Sequence, residues 1–184
     1  LAASPSDAAL SAKLMGDALA ALQPQRPGQA DVYLIVASLW NDPVFESEAS
    51  QAEGILRSRF GAEGRSILLS AGTGAQQPRR FAPASPNNIN AALGCVGQLI
   101  DPEEDLVVMF FTSHGAPDGA MAVREADRMA SSLRPAHLRE ALQLAGIRNR
   151  VVIVSACFSG AFIAPLMDDR TIVLTASAPD RSSF

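Results

Sequence analysis

Five short runs of apolar, largely β-branched or aliphatic residues punctuate the chain, at residues 31–38, 65–70, 106–111, 151–154 and 171–176. Between them apolar positions recur at helical spacing. Over 45–60 these are Ala49, Ala52, Ile55, Leu56 and Phe60, with Gly61 and Gly64 as the stop. Over 87–100 they are Leu93, Val96, Leu99 and Ile100, with Asn87 or Asn88 as the expected N-cap. Further helices are predicted over 133–145 and 159–167, and a short strand or hairpin arm over 120–123. An Ala- and Leu-rich amphipathic helix is predicted over 5–22, opened by Ser4-Pro5 and broken by the Pro24–Gly28 segment. It either packs on the domain or links it to what precedes. Val151-Val152-Ile153-Val154 has no polar interruption, which predicts a strand buried on both faces. Regular strand–helix alternation predicts an α/β layered domain with a mainly parallel sheet. The division expected is an N-terminal helix and linker over 1–28 and one domain over 29–184.

Composition narrows the partners. A chain of 184 residues, 48% apolar, is long enough for one domain with a sizeable core. The net charge is −4 and no basic run occurs, which speaks against nucleic acid and anionic membrane surfaces. No stretch reaches the roughly 18 apolar residues of a membrane span. The chain begins at Leu1; a signal peptide or a membrane anchor upstream, and with either an extracytoplasmic location, would fit, as would an arbitrary boundary. Two cysteines make no disulfide framework. Two separated histidines and two cysteines give no metal-ligand spacing, and no cofactor is called for. The acidic turn at 101–105 reads as a solvated turn, and Arg79-Arg80, in the irregular segment 71–86, as part of a solvated loop beside the substrate groove.

The candidate chemistry lies at strand ends. In an open parallel sheet, ligands bind at the carboxyl ends of the strands. One buried run ends in Thr112-Ser113-His114-Gly115 and another in Ser155-Ala156-Cys157. A lone cysteine is commonly a small buried hydrophobe, and a lone histidine a satisfied structural residue. Both at the ends of consecutive strands instead suit a cysteine nucleophile beside its base. Cys95 is then the spare thiol, packed on a helix, and His137 a surface residue.

Phe111-Thr112-Ser113-His114-Gly115, then Val154-Ser155-Ala156-Cys157-Phe158-Ser159-Gly160, then the segment 175–184 resemble, in order and spacing, the legumain family of cysteine peptidases in the caspase-like clan, and most of all its bacterial members. The resemblance implies a caspase-like three-layer α/β/α sandwich, cut short before its last strand. It implies a cysteine endopeptidase acting on a peptide or protein substrate through a thioester acyl-enzyme. Cys157 would be the nucleophile and His114 the general base and acid. The N–H groups of Gly115 and Cys157 would form the oxyanion hole, helped by the positive end of a helix starting near Ser159. Either the dyad has no carboxylate partner, or Asn41 or Asp42, on the same face by position, orients His114.

By the same resemblance Ser155, Ser182 and Ser183 would line the first specificity pocket. The preference of the family for Asn or Asp rests on an Arg-His pair and on an acid before the cysteine. Here Ser155 stands in the place of that acid, and no such pair follows the first strand. Glu46 or Glu48 could meet a basic substrate side chain, although a helix-capping role is the expected one. A transamidase or peptide ligase on the same dyad, and a catalytically silent peptide-binding domain, are the alternatives. A flavodoxin-like nucleotide site would need a glycine-rich loop after the first strand, and none is there.

Overall fold

The computed structural model describes residues 4–74, 79–124 and 130–183. Five strands form one wholly parallel sheet: β1 (Val32–Ser38), β2 (Ser66–Ser70), β3 (Leu106–Thr112), β6 (Arg150–Ser155) and β7 (Thr171–Thr175), in the order β2-β1-β3-β6-β7. A separate antiparallel hairpin pairs β4 (Met121–Val123) with β5 (Ser131–Leu133). The long helices are α1 (Pro5–Ala20), α2 (Pro43–Phe60), α3 (Pro86–Leu99) and α4 (Pro135–Leu144). This is the three-layer arrangement expected of a caspase-like domain.

Each long helix carries proline in its first turn. Proline lacks the N–H that would be orphaned there, and its φ is already helical. The caps follow from this. Asp42 accepts the Val44 N–H, so α2 starts two residues before the expected Phe45. Ser85 accepts the Asn88 N–H, so Ser85 rather than Asn87 or Asn88 caps α3. The expected helix over 133–145 starts at Pro135, because Leu133 closes the hairpin as the last residue of β5.

Alternation along the strands sorts side chains onto two faces. One face holds the larger core: Tyr33, Ile35, Val107, Met109, Phe111, Val152 and Val154 meet residues from α1, α3 and α4. Met15 of α1 belongs to this core. On the other face α2 alone covers Leu34, Val36, Val108 and Phe110. That asymmetry overturns the expectation for β6, whose burial alternates. Val151 and Ile153 are only half-buried, and Ile172 and Leu174 of β7 are 59% and 52% exposed. One helix cannot span five strands, so the face of β6 and β7 on the α2 side lies open.

The helix expected over 159–167 is two fragments, a 3-10 turn (Ser159–Phe162) and one α turn, α5 (Ile163–Leu166). Pro165 interrupts the second. Such a segment sums few peptide dipoles, so its favourable field at Cys157 is much weaker than that of a full helix.

The 101–105 turn is solvated at Pro102 and Glu103, as expected, but its last acid, Asp105, is buried, and with the buried Asp31 it ties the amino ends of the strands. Asp105 accepts the N–H groups of Asp31 and Asp101, at 2.8 Å each. Glu103 pairs with Arg148 and Arg170. Asp31 is 2% exposed and accepts from the Arg26 backbone N–H at 2.7 Å and its Nε at 3.0 Å. The loop arginines are engaged as well: Arg79 donates to the Ser70 carbonyl, and Arg80 pairs with Glu46. Among the described residues no cluster of His, Cys, Asp or Glu could hold a metal, and no helix is long and apolar enough to cross a membrane.

The hydrogen bonds from Arg26 hold the Asp31 carboxyl below its usual range. Its folded pKa therefore lies under the unfolded value of about 3.9. The stability it supplies is complete above that value and is lost as the pH falls through the folded one. Asp31→Asn is expected to cost roughly 1–3 kcal/mol at pH 7, and the gap to wild type should narrow as the pH is lowered. Urea unfolding at pH 7 and pH 3 checks both halves of this expectation.

Candidate active site

The sheet changes winding direction at β1. The β1–β2 connection runs through α2 on one face, and the β2–β3 connection through α3 on the other. A crevice opens at such a switch point, at the carboxyl ends of the flanking strands. The loop Leu39–Asp42 leaves β1 there, His114 lies just beyond β3, and Cys157 just beyond β6.

β3 and β6 are direct neighbours, paired from Val107–Arg150 to Thr112–Ser155. The ladder runs on past the strands, with the Ser113 N–H donating to the Ser155 carbonyl at 3.2 Å. Beyond it the two backbones touch. A Cβ built on Gly115 would stand 1.8 Å from the Cys157 carbonyl oxygen and 3.1 Å from its nitrogen. Only glycine permits that approach.

His114 is exposed. Its ring is held edge-on by two aromatics, Trp40 at 5.3 Å and Phe45 at 4.9 Å between centroids. Such T-shaped contacts set a ring plane without using its nitrogens. Trp40 is itself braced by the Arg124 guanidinium, 5.5 Å from the indole centroid, while the Arg124 N–H donates to the Leu39 carbonyl. The His114 carbonyl accepts from the Ala122 N–H, and Ser113 Oγ donates to the Ala122 carbonyl, so β4 pins the backbone behind the ring. Two ring contacts thus come from Trp40 and Phe45. Asp42 is occupied as the cap of α2.

Cys157 is half-buried. Its Sγ lies 3.5 Å from Ser183 Oγ and 3.8 Å from the Ser183 carbonyl. Ser182, expected to share this position, is exposed, and Ser183 is the serine that reaches the thiol. The other thiol, Cys95, packs against the main core, where burial pushes its pKa up. His137 is exposed on α4. It lines a groove of about 520 Å³ between α3, β5 and α4 that is separate from the Cys157 crevice.

The residues after Cys157 are explained by the loop after β7. Ser159 and Ser177 exchange bonds: each backbone N–H donates to the other's Oγ, at 3.2 and 3.1 Å. Ser177 Oγ also donates to the Ala156 carbonyl. A Cβ on Gly160 would meet Pro179 at 2.5 Å. The Phe158 N–H donates to the Arg181 carbonyl at 2.8 Å. Phe158 has φ 57°, the single left-handed non-glycine among the described residues. Backbone strain of this kind persists only where the surroundings over-determine it, and here both loops clamp the turn.

Two glutamates of α2 reach the strand ends. Glu46 is buried, accepts from Ser70 Oγ at 2.6 Å and pairs with Arg80 at 3.0 Å. Glu48 accepts from Thr112 Oγ1 at 2.5 Å and from Ser155 Oγ at 2.7 Å. Asp42 holds the N-cap position, and Glu46 places its acid in the first turn of α2, the favourable helix-end charge expected of it, whereas Glu48 is turned to the strands. Trp40, Phe45 and Thr112 were not among the expected site residues. Trp40 had a signal, as the single tryptophan of the chain placed directly after a buried strand. Phe45 and Thr112 had none, because each counts through a partner distant in sequence.

Similarity to known proteins agrees with this geometry. The search of solved structures finds 42 matching chains. One is the crystal structure of caspase-1 from Spodoptera frugiperda, with a TM-score of 0.52 and 11% identity. The match covers 88% of this chain and 68% of that one. At that identity it speaks for the fold alone, which is caspase-like. The search of curated proteins finds no match. The model of the Peptidase C13 family matches residues 86–184, which include the ends of both β3 and β6. The chain belongs to the Peptidase C13 family, the legumain family of cysteine peptidases.

Proposed function

We propose that this chain hydrolyses peptide bonds through Cys157 and His114. The observation that carries the reading is the junction of β3 and β6, where His114 and Cys157 follow paired strand ends and Gly115 lies in backbone contact with Cys157. The Cys157 thiolate attacks the scissile carbonyl carbon, and the carbonyl oxygen takes up the negative charge. The Gly115 and Cys157 N–H groups stabilise that oxyanion. As the intermediate collapses, the C–N bond breaks and the His114 imidazolium gives its proton to the leaving amine. A thioester on Cys157 remains. His114, now neutral, takes a proton from water, and the hydroxide attacks the thioester. The second tetrahedral intermediate expels the thiolate and releases the acid.

Trp40 and Phe45 supply what a carboxylate partner supplies in other dyads: they restrict the ring of His114. Peptide is the substrate class, and no step of this mechanism calls for a metal or a cofactor.

Alkylation by iodoacetamide, followed residue by residue by mass spectrometry, tests the dyad. Cys157 should react faster than Cys95, and His114→Ala should remove the difference. Equal, slow labelling of both thiols in the native protein would sink the proposal. Gly115→Ala tests the junction. Its methyl has no space against the Cys157 carbonyl, so the strand ends must part. The expected loss is roughly 1–3 kcal/mol of stability and about hundredfold or more in the rate of Cys157 acylation. Unfolding curves and the rate of Cys157 acylation by an activated peptide ester, measured on the same preparation, separate the two effects.

A further inference from the structure

We infer that Glu48 selects substrates with a cationic side chain, arginine before lysine, at the residue that donates the scissile carbonyl. This rests on Cys157 being the nucleophile and adds what that nucleophile is offered.

Position comes first. Thr112 and Ser155 are cross-strand partners on β3 and β6. Thr112 lies two residues before His114, and Ser155 two before Cys157. Both hydroxyls face the α2 side of the sheet, and the carboxylate of Glu48 bridges them. It therefore stands at the paired strand ends, bonded two residues before His114 on one strand and two before Cys157 on the other. The substrate residue whose carbonyl meets Cys157 projects its side chain from the adjacent carbon. That side chain is the part of a substrate best placed to reach a group so near Cys157.

Charge comes second. Glu46, two residues away on α2, has Arg80 as its counter-ion. Glu48 has two hydroxyl donors, and among the described residues no cation within ion-pair distance. A carboxylate offers about four lone-pair sites, and two hydroxyls fill one on each oxygen. One acceptor on each oxygen remains, which is the spacing a guanidinium fork bridges with two parallel hydrogen bonds. An ammonium makes a less directional contact. Glu48 is only half-buried, so the carboxylate is held firmly without being sealed off. An acidic substrate side chain would meet like charge there, and a neutral one would leave the carboxylate desolvated without a partner.

The test is alkylation of Cys157 in the intact protein by peptide chloromethyl ketones that differ only in their last residue: Arg, Lys, Ala or Asp. These reagents alkylate the nucleophile and need no turnover. The arginine reagent should label Cys157 roughly tenfold or more faster than the alanine reagent, and the aspartate reagent should be slowest. Glu48→Gln keeps a hydrogen-bonding group between Thr112 and Ser155 and should bring the arginine-to-alanine ratio close to one. Glu48→Lys should invert the order and favour aspartate, which a purely structural role of Glu48 could not do. Equal labelling by all four reagents, or an arginine preference that survives Glu48→Gln, overturns the inference and leaves the dyad standing. If no reagent labels Cys157 and iodoacetamide does not distinguish it from Cys95, the peptidase reading fails and this inference with it.

Discussion

Strands β3 and β6 run side by side in parallel register, and everything at the carboxyl end of the sheet hangs on that pairing. Register decides which side chains become neighbours, and a slip of one residue would turn a whole strand face over. With Thr112 opposite Ser155, both hydroxyls point to the α2 side. The chain then brings Gly115 against the Cys157 backbone with no room for a side chain. The ladder supplies direction up to Ser113, and glycine supplies closeness beyond it.

The rest of the site is buttressing of that junction. From the β1 side, Trp40 and Phe45 enclose the ring of His114, with Arg124 behind Trp40. From the β7 side, the Ser159–Ser177 exchange and the Gly160–Pro179 contact lock the turn that carries Cys157. Beneath, Glu48 ties α2 to both strands. These restraints come from four separate segments. Preorganisation of that kind lets a reactive group meet its substrate without first paying to order itself.

The same architecture explains why one side of the molecule is open. Among the described residues α2 is the single helix on its face, so β6 and β7 show apolar side chains there, while on the opposite face Val152 and Val154 are buried and Val173 is partly buried. At the amino ends of the strands the logic is reversed. Asp31 and Asp105 are buried, and backbone N–H groups and arginines satisfy them. The proposed site lies at one end of the sheet, and the other end is closed by polar contacts within the chain.

Much of this was written in the residues themselves. The five apolar runs named the five strands of the sheet, and the strand-end positions of His114 and Cys157 named the two candidate groups, because strand period and burial are local properties. The helix starts were also legible in Asp42-Pro43 and Ser85-Pro86, a cap followed by proline, although spacing of apolar residues alone put them later. What could not be read locally was decided by neighbours far away in sequence. Val151 and Ile153 look fully buried as residues, yet their exposure depends on how many helices cover that face. Glu48 and Asp42 are both acids near a helix start; tertiary contacts made one the cap and sent the other across to Thr112 and Ser155. The sequence determined which segments form the sheet and which groups stand at its ends, since periodicity and side-chain chemistry are carried residue by residue. Only the tertiary structure decided what holds His114 and where the charge of Glu48 points, since those depend on contacts between segments with no shared local pattern.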